Sequence, residues 1–170
     1  MEKIAISVEQ CIKIEENIKD LSELIINVVQ HGASIGFLPP LVFFAAQDYW
    51  ESIQDSNVIL FLAKANERVV GSVQLHLCSK QNGSHRAEIA KLMTLSNYRR
   101  MGIGHLLMEK AHETAIQMGK TLIVLDTREG DPSNLLYTSL GYQYVGRIPD
   151  YAKSENGHFD ATIIYYKKLT

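Results

Sequence analysis

The chain has 170 residues, 46% hydrophobic and 21% charged, with a formal net charge of −2, which fits a single globular domain over residues 1–170 with a real core. Its longest basic runs are Arg99-Arg100 and Lys167-Lys168, so nucleic acid is excluded as a principal partner, and no apolar run approaches the length needed to span a bilayer. Cys11 and Cys78 have no metal-ligand spacing and make no disulfide framework, and the first residues lack a signal-peptide apolar run, so no metal and a reducing cytoplasm are expected.

Residues 3–8 read as a short strand. From 9 to 29 the pattern turns helical, with Ile14, Ile18, Leu21, Ile25 and Val28 on one face and Gly32 as a stop. Residues 31–40 carry two glycines and two prolines and read as a loop. A second helix, 41–54, carries Phe44, Tyr49 and Trp50. Such aromatics usually belong to a core, but a helix pair placed before the sheet can also wall a substrate cleft. Residues 58–65 and 69–78 form an antiparallel hairpin through Asn66-Glu67-Arg68. A turn at 79–84, with Asn82-Gly83 as its strongest signal, leads to a strand at 87–95.

A helix follows over 103–118, then an apolar interior strand over 121–126. A short helix at 132–140 has Gly141 in the C-cap place. Two strands, 142–147 and 161–166, are joined by a loop over 148–157. The order βααβββαβαββ specifies an α+β fold around one mixed sheet.

The stretch that carries chemistry is Tyr98-Arg-Arg-Met-Gly-Ile-Gly-His105, between a strand and a helix. The first backbone N–H groups of a helix have no intrahelical partner, and the helix dipole adds partial positive charge there. Gly102 and Gly104 let an oxyanion approach the backbone, and Arg99 and Arg100 add full charges. The turn suits a phosphate or pyrophosphate. It is neither a P-loop nor a dinucleotide fingerprint, because neither glycine pattern is present.

Arg99-x-x-Gly102-x-Gly104 resembles the Arg/Gln-x-x-Gly-x-Gly/Ala signature of the GCN5-related N-acetyltransferases (GNAT), which cradles the pyrophosphate of acetyl-coenzyme A. The element order is also that family's. Asn134-Leu-Leu-Tyr137-Thr-Ser-Leu-Gly141-Tyr142 resembles its second motif, in which the asparagine contacts the coenzyme and the tyrosine lies near its sulfur. Further stretches, among them 31–37, 86–93 and 148–151, are similar to the tabtoxin-resistance branch of the family, whose acceptor is a β-lactam amino acid. Met101 stands where many relatives have arginine, and Asn97 stands where proline is common.

The resemblance implies direct acetyl transfer from acetyl-CoA to a small-molecule amine. Its implied coenzyme contacts are Leu92, Met93, Thr94, Arg99, Arg100, Met101, Gly102, Ile103, Gly104, His105 and Asn134. The backbone N–H of Met93, or one nearby, would polarise the thioester carbonyl as an oxyanion hole does. Glu88 would accept the amine proton. A free glutamate near 4.3 and an amine near 8 to 10 differ by about four to six units, roughly 5–8 kcal/mol, so a water relay or an easily deprotonated amine is needed. Tyr137 would protonate the leaving thiolate, a step about 2 kcal/mol uphill for ordinary groups. Asp126, Phe37, Trp50 and Tyr151 are the expected substrate contacts. A homodimer is compatible with the resemblance. A non-catalytic acyl-CoA-binding module and a protein N-terminal or lysine acetyltransferase are the rival readings.

Overall fold

The computed structural model describes residues 2–170. Among them are seven strands: β1 (Ile6–Gln10), β2 (Val58–Ala65), β3 (Arg68–Leu77), β4 (Arg86–Thr94), β5 (Leu122–Arg128), β6 (Gln143–Lys153) and β7 (Phe159–Lys168). The four α-helices are α1 (Ile18–Gln30), α2 (Phe43–Ser52), α3 (Ile103–Gln117) and α4 (Ser133–Ser139). One mixed sheet runs in the order β1-β2-β3-β4-β5-β7-β6. The α+β class and the element order expected from sequence are both observed.

Several boundaries differ for physical reasons. The helical reading of 9–29 is corrected at its start. Glu9 and Gln10 pair with Leu62 and Phe61 of β2, and α1 begins only at Ile18 after a 3-10 turn. The expected loop over 148–157 is mostly strand, because β6 pairs with β7 as far as Lys153↔Phe159 across a bulge. Asn66 and Glu67, with φ of 48° and 67°, close the β2–β3 hairpin as a two-residue turn with both central residues left-handed. Asn82-Gly83 instead lies in a 3-10 turn within a longer connection. There Gly83 is required by space: a Cβ would lie 2.6 Å from Cys78 Sγ.

The core sits on both faces of β3, whose residues Val69 to Leu75 are all buried. On one side pack Leu21, Leu24, Ile25 and Val28 of α1, with α2 against α1. Trp50 of α2 is fully buried and donates its indole N–H to Leu21 O at 2.8 Å. Removing such a ring typically costs about 3–5 kcal/mol, which makes it a packing residue of the first order. On the other side, Ile103, Leu107, Ala111 and Ala115 of α3 face the sheet. A Cβ at Gly71 would lie 2.9 Å from both Ile103 Cγ2 and Met93 O, so this glycine lets α3 settle against β3. That contact fixes the N-terminus of α3 beside the end of β4.

β4 and β5 form the sheet's parallel pair, joined through α3 as a parallel connection requires. They share only three register pairs: Arg86↔Leu122, Ala87↔Ile123 and Glu88↔Val124. Beyond Glu88 the strands part. β5 stays paired to β7 as far as Arg128, and β4 stays paired to β3 as far as Thr94. On β4 the two residues Lys91 and Leu92 face the single residue Val73 of β3, a bulge that bends the strand.

Behind α4, His112 of α3 shares a 2.7 Å hydrogen bond with the Tyr142 hydroxyl. Burial, with Lys167 and His105 adding to it and Glu109 opposing, pushes the His112 pKa down to about 4. The neutral ring is therefore what the fold stabilises. In the unfolded chain this histidine takes up a proton near 6.5, so stability is fully present above that pH and is lost as pH falls towards 4. We expect wild type to exceed His112→Gln in urea midpoint at pH 7.5, with the gap closing by pH 4.5. A gap constant across that range would contradict the assignment.

Candidate active site

The turn after β4 has the geometry that the sequence led us to expect. Arg100 and Gly102 take left-handed φ of 61° and 80°, which turns the chain sharply into α3. The first intrahelical bond runs from Leu106 N–H to Gly102 O, at 3.1 Å. The N–H groups of Ile103, Gly104 and His105 thus precede the helical ladder, and no side chain caps the helix. Arg99, Arg100, Met101 and Gly102 are all exposed, and the space at Gly102 is open.

Three details bear on the expected roles in this turn. A Cβ at Gly104 would meet Leu136 Cδ2 at 3.2 Å, so this glycine serves the packing of α3 on α4 as well as any ligand. Ile103 has its side chain in the core, leaving only its N–H available. His105 turns along the helix to Glu109 at 3.0 Å.

The open edge of β4 supplies the next part of the site. Leu95 N–H donates to Val70 O of β3 at 2.8 Å. Hydrogen-bonded and non-bonded pairs alternate along an antiparallel ladder, so Met93 faces β3 and Thr94 faces away from it. The expected donor was Met93 or one nearby, and the register turns a neighbour outward rather than Met93 itself. The Met93 amide is directed at Ser72 of β3, while Thr94, and Leu92 before it, turn their N–H groups to the side that β5 has vacated. A parted strand thus offers unpaired donors that a ligand chain can take up.

Tyr137 lies in α4, its ring packed among Tyr142 and Tyr165 with centroids 5.7 and 6.2 Å away. Tyr165 and Tyr166 spend their hydroxyls on Asn134 and Gln143, whereas that of Tyr137 takes no protein partner among the described residues. Burial raises the Tyr137 pKa well above the usual phenol range, and the charges of Asp126 and Asp131 raise it further. Asn134 is committed to the fold. Its amide donates to Arg128 O and Asp131 O, each at 2.9 Å, and its carbonyl accepts from Tyr165 at 2.7 Å. It holds the turn between β5 and α4 and keeps at most one lone pair for a ligand.

On the other side of the gap stand the candidate acceptor residues. Glu88 is exposed at the vertex where the strands part, beside His76 of β3. Asp126 on β5 accepts a 2.7 Å bond from Thr162. Phe37 packs edge-on against Tyr49 at 5.2 Å. Behind it, Gln74 donates to the Tyr49 hydroxyl at 2.9 Å, and His76 bonds Gln74 at 2.8 Å. Burial lowers the His76 pKa, with Glu88 opposing. A cleft of about 430 Å³ opens between residues 32–39 and residues 152–156, with Phe37 and Arg128 in its wall.

Of the four expected substrate contacts only Phe37 lines this cleft, and Asp126, on β5, is outside the lining. Trp50 is sealed in the core, and Tyr151 stands exposed on β6 outside the lining. Sequence reasoning left Tyr49 between core and cleft wall, and it missed Gln74, His76 and Lys91. The signal for these last three was present as polar residues interrupting apolar strands: Val-Gln74-Leu-His76-Leu and Ile-Ala-Lys91-Leu-Met.

Residues 31–142 match the sequence model of the acetyltransferase (GNAT) family. Solved structures share the whole fold at low identity. The acetyltransferase of GNAT family from Streptococcus pneumoniae is 18% identical, covering 97% of this chain and 100% of its own, with a TM-score of 0.81. The Salmonella typhimurium protein yncA, solved with its cofactor acetyl-CoA, is 16% identical over 98% of this chain and 95% of its own, at 0.80. A ribosomal-protein-alanine N-acetyltransferase from Brucella melitensis is 17% identical over 96% and 99%, at 0.81.

The free N–H groups and open space of the 99–105 turn fit a pyrophosphate. Gly102→Glu, which adds a carboxylate there, is expected to weaken acetyl-CoA binding at least about tenfold with the fold retained. Titration calorimetry giving wild-type affinity for a folded variant would remove the turn from the site.

Proposed function

This chain belongs to the acetyltransferase (GNAT) family, and on that premise we propose that it moves the acetyl group of acetyl-CoA to a primary amine of a small molecule. The parting of β4 from β5 carries this reading. It places unpaired donors between a positive turn at one end and the carboxylates Glu88 and Asp126 at the other. The cleft of about 430 Å³, walled by Phe37 and Arg128 and not by Glu88, Asp126 or Tyr137, is of small-molecule size. The likeness to the tabtoxin-resistance branch supports an amino-acid-like acceptor.

Acetyl-CoA supplies the acetyl group as a thioester. Arg99, Arg100 and the N–H groups of Ile103 to His105 hold its pyrophosphate. The outward N–H of Thr94, with that of Leu92, holds the chain along β4 and polarises the carbonyl oxygen. Glu88 takes the proton that the amine loses as its nitrogen bonds to the carbonyl carbon and the carbon–sulfur bond breaks. Tyr137 returns a proton to the departing sulfur. Burial makes its phenol a weaker acid than a free one, and the same apolar surroundings raise the basicity of a thiolate, which offsets part of that loss.

The test is thiol release from acetyl-CoA with a panel of amines, with the N-acetyl product identified by mass. On the best acceptor, kcat/KM is then followed against pH for wild type and Glu88→Gln. At neutral pH only about one α-amine in ten is neutral, so the variant should be slowed by about 10²-fold and recover towards wild type by about pH 8–9. A constant ratio would assign Glu88 to positioning. Coenzyme binding with no thiol release for any amine would favour a non-catalytic module.

A further inference from the structure

We propose that Lys91 selects the acceptor by pairing with a carboxylate, so that the molecule acetylated is an amino acid bearing its acid group close to the amine. The proposal rests on the acetyltransferase reading above and names its substrate class.

Lys91 is an ammonium placed where folding alone gives no reason for one. It lies on the β4 bulge with a left-handed φ of 56°, a conformation that a lysine adopts only at a cost. It is half-buried, with apolar Ala90, Leu92 and Met93 as its neighbours in sequence. Its Nζ stands 5.9 Å from the centre of the Tyr49 ring. It also lies close under the loop that walls the cleft, 3.5 Å from where a Cβ on Gly36 would be. The cation therefore sits between the Tyr49 ring and the backbone of Gly36, a residue that lines the cleft, while the Lys91 side chain is itself outside the lining.

Some cations of the chain have counter-ions, while others, such as Arg99 and Arg100, stand exposed to solvent. Lys64 pairs with Glu9, Arg128 with Asp131 and Asp160, and Arg147 with Glu129. Lys91 has no carboxylate within 4.0 Å among the described residues. Glu88 and Asp126 are near enough to act on it electrostatically without pairing. Burial lowers the Lys91 pKa, and those two charges pull it back up. The ring of Tyr49 offsets only part of the cost of a desolvated ammonium. A ligand carboxylate would supply the missing partner.

The arrangement is dipolar. Two carboxylates at the vertex of the gap suit an ammonium or a nascent amine, and Lys91 a few side chains away suits an anion. An α-amino acid carries both groups in that order. A diamine would set its second positive charge against Lys91, and a simple alkyl amine would leave Lys91 unpaired.

The experiment compares matched acceptors: the twenty α-amino acids, the same set as carboxamides, and the corresponding decarboxylated amines. Each is assayed with wild type, Lys91→Met and Lys91→Arg. Wild type should favour the best free acid over its amide by about tenfold or more in kcat/KM, chiefly through KM. Lys91→Met, close in volume and uncharged, should bring that ratio near one, and Lys91→Arg should restore part of it. Acetyl-CoA affinity, measured separately, should stay at the wild-type value in both variants and so reports that the fold is intact. A ratio unchanged in Lys91→Met, or a wild type that prefers amides or amines, would overturn the proposal while leaving amine acetylation standing. Acetylation of no amine by a wild type that binds acetyl-CoA would overturn the activity itself, and this proposal with it.

Discussion

The whole site depends on one backbone constraint: β4 cannot satisfy its outward amides from β5. β5 runs parallel to β4 for three register pairs and then follows β7, while the bulge at Lys91 and Leu92 turns β4 the other way. An unpaired buried amide is costly, so a strand edge left open inside a sheet is retained only where something else takes up its donors. The fold provides that opening without cutting the sheet in two, because β3 and β7 hold the parted strands from outside.

Charge is distributed along this opening with a consistent sense. At the α3 end stand Arg99, Arg100 and a helix N-terminus without a capping side chain. At the other end Glu88 and Asp126 flank the vertex, and Tyr137 of α4 packs against Tyr142. Burial and two nearby carboxylates favour the protonated form of Tyr137. Asn134 fixes the α4 turn on which Tyr137 is mounted, through Arg128 O, Asp131 O and the Tyr165 hydroxyl. Membership of the acetyltransferase (GNAT) family agrees with a positive end, because acetyl-CoA carries a pyrophosphate.

Legibility from sequence followed the range of the interactions. The 98–105 turn could be read because its chemistry is local: free N–H groups, two arginines and two glycines within eight residues. The short helix after β5 was legible for the same reason, with Gly141 at φ 86° closing it. The direction of the Met93 amide was not legible, because it is set by the register with β3, a pairing more than twenty residues away. Lys91 was overlooked because a lone lysine in a strand ordinarily points to solvent. Only the bulge and the packing of Tyr49 and residues 32–39 bring it under the loop. Trp50 illustrates the reverse case: Tyr49 of the same helix packs against Phe37 of the cleft wall, but the Trp50 side chain faces Leu21.

The most direct measurement of the central claim is amide hydrogen exchange at β4, resolved residue by residue by NMR, with and without acetyl-CoA. If the coenzyme chain takes up the donors that β5 leaves free, exchange at Thr94 and Leu92 slows on binding, while Met93, bonded to β3 in either state, keeps its protection. Saturation with acetyl-CoA that leaves Thr94 and Leu92 exchanging at their free rates would contradict it.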